Sequence, residues 1–348
     1  MKAAMWYKKG DVRIVDVPEP KVSPLCVKIK IKWCGICGSD LHEYLGGPVS
    51  IPVDEPHPIT GQTAPVMMGH ELAGEVIELG DGVTGLSVGD VIISVIDIPC
   101  RECRFCRTGR EKLCLDRKRL SFERDGSHAE LCVIPAGNAC KIREIPVEKA
   151  SALTDAFASS YSALRYRADV RVLDRVLIMG AGGLGLAAIQ LAKSMGAVVY
   201  AIDINENNLK VAVELGADEV IHTPKENPFD RVKKFTCGDM CDTALDFVGL
   251  SNTVDKCVSM VRPGGNVVLI GYKNDNFTAA FSEIIMHGRN ILGHRGATRL
   301  ELLEVIELCE RGDIDPYVGN IISLDDINSG LDDLRAGKYP GRTVIKFE

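Results

Sequence analysis

The rhythm of apolar and polar positions changes part-way along the chain. Up to about residue 150 the runs are short. "VKIKIKW" (27–33) alternates, while "ELAGEVIELG" (71–80) and "DVIISVI" (90–96) are apolar and β-branched, with Gly and Pro between them. This texture predicts a β-rich segment. From about residue 155, strand and helix patterns alternate. Strands are predicted at "RVLIMG" (175–180), "AVVYAID" (197–203), "ADEVI" (217–221), "DTALDFV" (242–248) and "GNVVLIG" (265–271). Helices are predicted at "GLGLAAIQLAKSMG" (183–196) and "NENNLKVAVELG" (205–216). Strands separated by helices of that length predict a parallel sheet covered on both faces. The C-terminal stretch returns to mixed texture and ends on a strand, "RTVIKFE". Internal repeats and low-complexity linkers are lacking.

Composition narrows the functional classes. At 348 residues, with 46% hydrophobic and 26% charged positions, the chain suits two packed domains. A net charge of −7 argues against a general nucleic-acid binder, which needs a basic face for phosphates. There is no apolar stretch of about 18 residues to span a membrane, and the N-terminal residues lack the apolar core of a signal peptide. The cysteines number 13. An odd count without an export signal points to reduced, buried or metal-binding thiols and a cytoplasmic protein.

"GAGGLG" (180–185) fits G-x-G-x-x-G through Gly180, Gly182 and Gly185, with Gly183 and Leu184 opening the predicted helix. The pattern alone is weak, but here it follows an apolar strand and starts a helix. Glycines there allow a tight turn and close approach of a pyrophosphate, and the helix N-terminus offers free N–H groups. Asp203, at the end of the next strand, suits the adenosine ribose hydroxyls. No Arg follows it to hold a 2′-phosphate, so NAD is expected over NADP. Read blandly, Asp203 is a surface acid closing a strand.

"CRECRFCRTGREKLC" (100–114) offers Cys100, Cys103, Cys106 and Cys114 at metal-ligand spacing. Four thiolates complete zinc's tetrahedron and leave no position for water or substrate, so this site is structural. The interleaved Arg101, Arg104, Arg107 and Arg110 read as cations offsetting the thiolates. A catalytic metal needs three protein ligands and a vacancy. For that the chain offers "CGICGSDLH" (34–42), "GHELAGEV" (69–76) and "LTDAF" (153–157).

Taken in order, C-G-x-C-x-S/T-D-x-H, G-H-E-x-x-G, the four-cysteine lobe and G-x-G-x-x-G resemble the zinc-dependent medium-chain alcohol dehydrogenases over essentially the whole chain. The resemblance implies an α/β architecture: a β-rich GroES-like catalytic domain (1–154 and 297–348, lobe at 97–117) and a doubly wound Rossmann NAD-binding domain (155–296). It implies two zincs per chain. Cys37 and His70 match the first two catalytic ligands and Asp155 stands at the third. Glu71 matches the acid that lies by the metal and can enter its shell. Cys34 falls outside the ligand position, and Asp40 supports and orients a ligand. Asp155 also has a simpler reading, as the N-cap of a helix starting at "SALTDAF". In the implied mechanism a zinc-bound alcohol ionises, Ser39 takes its proton, His42 passes it to solvent, and hydride moves to NAD. Arg342, in "GRTVIKF", is placed with the cofactor residues, on the pyrophosphate. His57, His128, His222, His287 and His294 receive no role.

Residues 32–71, including the Pro-rich loop between the ligand motifs, are similar to 2,3-butanediol dehydrogenases, although those place Glu at the third-ligand position. A vicinal diol or its α-hydroxyketone is therefore the first expected substrate. A secondary or cyclic alcohol, or a hydroxyacyl-CoA compound, is the alternative. A catalytically silent relative is the reading from another class, opposed by retention of Cys37, Ser39, His42, His70 and Asp155. The segment 290–296 lies where relatives join sheets edge to edge, so a homo-oligomer is expected, a tetramer before a dimer.

Overall fold

In "VKIKIKW" the valine and isoleucines are fully buried, while Lys30 is exposed and Lys28 and Lys32 are partly so. This is the period of a strand with one solvated face. The strand Cys26–Ile36 that results is the axis of the first of two units in a computed structural model describing residues 1–273 and 275–348. That unit comprises Met1–Asp155, Gly296–Gly312 and Pro316–Glu348. Its largest sheet runs in the order Ala139–Lys141, Val91–Ser94, Glu71–Leu79, Cys26–Ile36, Arg342–Lys346, Val318–Ser323, and Leu131–Pro135 also pairs with the axial strand. All pairings are antiparallel except that of the last two strands. Lys2–Lys8 joins Asp11–Asp16 and Val66–Met67 in a smaller sheet. Trp6, Ile29, Ile31, Leu72, Ile92 and Ile134 fill the core.

The alternation in the axial strand breaks where function begins. Its register against Glu71–Leu79 shifts between Ile31 and Trp33, and beyond the shift Cys34, Gly35 and Ile36 are all buried. A bulge of this kind re-aims a strand end, and bulges concentrate beside active sites.

The second unit comprises Ala156–Arg295 and Asp313–Asp315. Six parallel strands lie in the order Glu219–His222, Val198–Asp203, Arg175–Met179, Cys241–Asp246, Val261–Leu269, Asn290–Gly293. By chain order this is 3-2-1-4-5-6, the doubly wound Rossmann arrangement, with its topological switch beside Arg175–Met179. The predicted helices are present as Gly183–Ser194 and Glu206–Glu214. Pro228–Phe235 and Ser251–Met260 are helices that the apolar pattern did not announce. Both are short, and the first relies on its Asn227 side chain accepting from Phe229 N–H, with Pro228 at the first helical position.

Three glycines at the switch have three different reasons. Gly180 has φ +92°, a left-handed turn, and a Cβ there would lie 2.8 Å from Val248 Cγ2. Gly182 faces open space, with nothing within 4 Å of a built Cβ. A Cβ on Gly185 would stand 1.9 Å from the Gly180 carbonyl oxygen. Backbone cannot yield as a side chain does. Gly185→Ala is expected to destabilise this unit by about 1–3 kcal/mol, read as a lower transition temperature in thermal unfolding, whereas Gly182→Ala should leave that transition in place.

Candidate active site

Register builds the site. Gly35 stands opposite Glu71 on one side of the axial strand and opposite Val344 on the other, and Ile36 stands opposite Thr343. Cys37, just past the strand end, is thereby flanked by His70 and Glu71 from one neighbour and Arg342 from the other. Asp155 comes from a π-helical turn, Leu153–Phe157, that follows the helix Val147–Ala152. Such turns are rare and often found at functional sites. Donor atoms of Cys37, His70, Glu71 and Asp155 all lie within 4.8 Å of one another. Because helix precedes Asp155, the residue caps no helix start.

Close packing enforces this geometry. A Cβ on Gly35 would come within 2.0 Å of Glu71 Oε2, so only glycine admits the buried glutamate opposite it. Asp40, fully buried, accepts a hydrogen bond from Cys37 N–H at 2.9 Å and from Ser121 Oγ at 3.4 Å. Nδ1 of His70 lies 3.6 Å from Asp40 Oδ1, beyond hydrogen-bond distance. The His70 ring also lies against Phe122, centroids 5.7 Å apart.

The electrostatics are severe. Burial pushes the Cys37 thiol well above its ordinary value, Asp155 adds to the rise, and Arg342 opposes it. Burial likewise pushes Glu71 up, to about 8, with Arg342 again opposing. The Arg342 guanidinium, itself buried, donates to the Glu71 carboxylate, to Asp155 Oδ2 at 3.3 Å and to Cys37 Sγ at 3.6 Å. Glu71 Oε2 has no hydrogen-bond partner among the described residues. A thiolate, an imidazole and carboxylates around such an atom suit zinc, which takes S, N and O donors.

Ser39 and His42 lie on the helix Gly38–Gly46, which starts directly after Cys37. At i and i+3 they share a face, while Asp40 and Glu43 share the buried one. The sulfur atoms of Cys100, Cys103, Cys106 and Cys114 also lie within 4.8 Å of one another. Backbone N–H groups of Cys103 and Cys100 donate to the sulfurs of Cys100 and Cys114, each at 3.3 Å. Arg104 and Arg110 stack on Phe105 at the lobe's surface.

In the second unit, helix Gly183–Ser194 begins after Gly182 with no side-chain cap, and a Cβ built on Gly182 meets nothing within 4 Å; uncapped N–H groups at a helix start suit phosphate. Leu184 in that turn accepts from Ser160 Oγ through its carbonyl. Asp203 ends the neighbouring strand and accepts from the N–H groups of Ala181 and Asn205, each at 2.7 Å, and from Asn208. It thus pins the glycine turn. Exposed Ile204, and no cation, follows it.

Family comparisons match both units. Residues 23–144 match the alcohol dehydrogenase GroES-like domain and residues 183–311 the zinc-binding dehydrogenase domain. The chain is 33% identical over 351 residues to an NAD-dependent alcohol dehydrogenase of Sulfolobus acidocaldarius, covering 99% of each. It belongs to the zinc-binding alcohol dehydrogenase family. The dehydrogenase is also 32% identical to the (R,R)-butanediol dehydrogenase of Bacillus subtilis, covering 94% of each. The solved structure of 2R,3R-butanediol dehydrogenase from that organism superposes with a TM-score of 0.90 at 30% identity, over 100% of this chain and 99% of that one. The Aeropyrum pernix alcohol dehydrogenase gives 0.90 at 30% identity over 100% of both. The chain is thus an oxidoreductase acting on CH–OH groups with zinc and NAD.

Not every residue of this dehydrogenase lies where its sequence suggested. Sequence reasoning set Arg342 on the pyrophosphate; the structure places its guanidinium among Cys37, Glu71 and Asp155. The signal for this is the pairing of the last strand with the axial one, which no local motif carries. His128, given no role, is buried and donates from Nε2 to the Gly35 carbonyl at 3.1 Å, while a Cβ on Gly69 would meet its ring at 2.2 Å. Burial pushes its imidazole below the ordinary value. Cys34 is buried against Ser127 Oγ at 3.2 Å, its thiol pushed well up by burial, as suits an inert neighbour. For the lobe, Cys103→Ser should lower bound zinc from two per chain to one and lower the thermal transition, with turnover per folded, zinc-loaded active site unchanged; metal analysis alongside steady-state rates measures both.

Proposed function

We propose that this dehydrogenase interconverts a small vicinal diol and its α-hydroxyketone, on a catalytic zinc held by Cys37, His70 and Asp155 with Glu71 as alternate ligand. The observation that carries the reading is the convergence of these four donors within 4.8 Å around a buried arginine. Zinc bound there supplies Lewis acidity, easing ionisation of an alcohol and polarising a carbonyl. The remaining work falls to the chain. Ser39 Oγ accepts the hydroxyl proton, and the His42 ring, on the same helix face, passes it to solvent. Asp40 keeps His70 oriented, and Arg342 donates to Glu71 and Asp155 and opposes the burial that pushes Glu71 up. Gly180, Gly182, Gly183, Leu184 and Gly185 cradle the pyrophosphate of NAD, and Asp203 accepts from its adenosine ribose. Cys100, Cys103, Cys106 and Cys114 hold the second zinc.

The likeness to butanediol dehydrogenases supports the diol. A broader range of secondary alcohols is the second reading, favoured by the likeness to the Sulfolobus enzyme. The exposed edge strand Asn290–Gly293, with Phe281, Ile285 and Met286 exposed just before it, supports a homo-oligomer, with a tetramer favoured. Thirteen free cysteines suit the cytoplasm.

Steady-state assays with NAD and 2,3-butanediol, 2-butanol and cyclohexanol decide the substrate: the diol should show the highest kcat/KM, and a clear preference for either other alcohol would reject it. Asp155→Ala should remove most turnover and the catalytic zinc while one zinc and NAD binding persist; retention of two zincs and near-normal rates would exclude Asp155 as a ligand. Asp203→Ala should weaken NAD binding by about 1.5–3 kcal/mol, roughly 10–100-fold in Kd, and narrow the preference over NADP in titration calorimetry.

A further inference from the structure

A cavity of about 880 Å³ lies wholly within the first unit, and its lining includes none of Cys37, His70, Glu71 and Asp155. One wall is the helix Arg299–Glu310, which contributes Arg299, Leu303, Ile306, Glu307 and Glu310. The other walls come from residues 82–86, 98–101 and 135–143, with Leu25. The volume falls in the range of small-molecule sites, roughly 300–1,000 Å³. Four cations and two carboxylates line it, in a chain whose net charge is −7.

Two guanidinium groups converge on one short piece of its backbone. Arg101 belongs to the cysteine motif of the lobe, yet its guanidinium packs on Gly137, where a Cβ would come within 2.2 Å of a terminal nitrogen. Arg299 donates from Nε to the Ala139 carbonyl at 3.2 Å, two residues further on. Neither arginine forms an ion pair among the described residues. Like charges gathered without a carboxylate make an anion the missing complement. The arrangement is held in advance. Lys112 Nζ pairs with Glu301 Oε1 at 2.9 Å, tying the lobe that carries Arg101 to the helix that carries Arg299. Arg101 itself has φ +65°, and Leu25 on the same lining has φ +61°. Non-glycine residues in the left-handed region are strained, and such strain gathers at ligand clamps.

Along the helix wall the chemistry changes. Leu303 and Ile306 follow Arg299, and Glu307 and Glu310 stand about 12–16 Å from it at 1.5 Å per residue. Glu310 is engaged there, accepting from Arg143 N–H at 3.0 Å. Lys141 is paired with Asp90 at 2.7 Å. Val83, Leu86 and Ile98 add apolar surface to the lining. A basic end thus opens onto an apolar stretch.

We propose that this cavity binds an amphiphilic organic anion, its carboxylate or phosphate head held by Arg101 and Arg299 and its apolar body lying along Leu303 and Ile306. Guanidinium groups meet either head with paired N–H donors. The site shares no lining residue with the proposed alcohol and NAD sites, and it does not depend on which alcohol the enzyme oxidises.

Titration calorimetry of octyl phosphate, octanoate and inorganic phosphate into the zinc-replete enzyme tests it, with the amphiphiles kept below their micelle-forming concentrations. Octyl phosphate or octanoate should bind at one equivalent per chain, and the tighter of the two identifies the head group. Inorganic phosphate should bind more weakly. Arg101→Gln and Arg299→Gln should each weaken amphiphile binding on the order of 10-fold, the scale of one charge-assisted contact. Gly137→Ala should do the same without removing a charge, because its methyl group displaces the Arg101 guanidinium. Zinc content should match wild type, which separates a lost head contact from a damaged lobe; Arg299→Gln and Gly137→Ala carry the test if Arg101→Gln loses metal. Absence of saturable binding by either amphiphile would overturn the proposal. Binding unchanged in Arg299→Gln and Gly137→Ala would also overturn it, placing the anion elsewhere, such as on the catalytic metal. Inorganic phosphate binding as tightly as octyl phosphate would overturn the apolar half of the site.

Discussion

A buried cluster of anions persists only when cations share the burial. Burial pushes Cys37 and Glu71 toward their neutral forms; ionised together with Asp155, they would bring three negative charges to one point, and Arg342 returns one positive charge. The two that remain match a divalent ion. Asp40 adds a further buried carboxylate, stabilised by Cys37 N–H and Ser121 and placed beside His70. Arg342 is thus more than an ion-pair partner. It opposes the burial that pushes Cys37 and Glu71 up, while donating to one oxygen of Glu71 and leaving the other without a partner among the described residues.

Sheet register is what brings these groups together. The axial strand is paired on both sides at its functional end, and the bulge at Ile31 and Trp33 turns Cys34 to Ile36 inward. Gly35 leaves room for the Glu71 carboxylate, and Gly69 leaves room for the His128 ring; a Cβ at either glycine would collide with them. Helix Gly38–Gly46 then gives its buried face to Asp40 and Glu43, and another face to Ser39 and His42.

Much of this was legible in the sequence, because its signals are local. The alternation of "VKIKIKW", the strand–glycine–helix order around Gly180 and the spacing of Cys100 to Cys114 each state their physics within a few residues. Asp155 was less clear. A cap and a ligand look alike in "SALTDAF", and only the helical turns before it exclude the cap. Arg342 was set on the cofactor because a basic residue near the C-terminus has no local pattern tying it to Cys37, 305 residues away. His128 was missed for the same reason: its partner, a glycine carbonyl, carries no side-chain signature. The helices Pro228–Phe235 and Ser251–Met260 were missed because they are short and polar, depending on caps and on packing against a sheet.

The claim beneath the whole account is that two metal positions exist and that charge and register dictate the second. Crystals of the purified enzyme, measured on both sides of the zinc absorption edge, test it directly. The account predicts two anomalous peaks per chain. One lies among the sulfurs of Cys100, Cys103, Cys106 and Cys114, and the other within bonding distance of Cys37 Sγ, a ring nitrogen of His70 and a carboxylate oxygen of Asp155 or Glu71. A zinc-replete crystal with a peak in the lobe alone, and the Arg342 guanidinium still filling the space between Cys37 and Asp155, would contradict it.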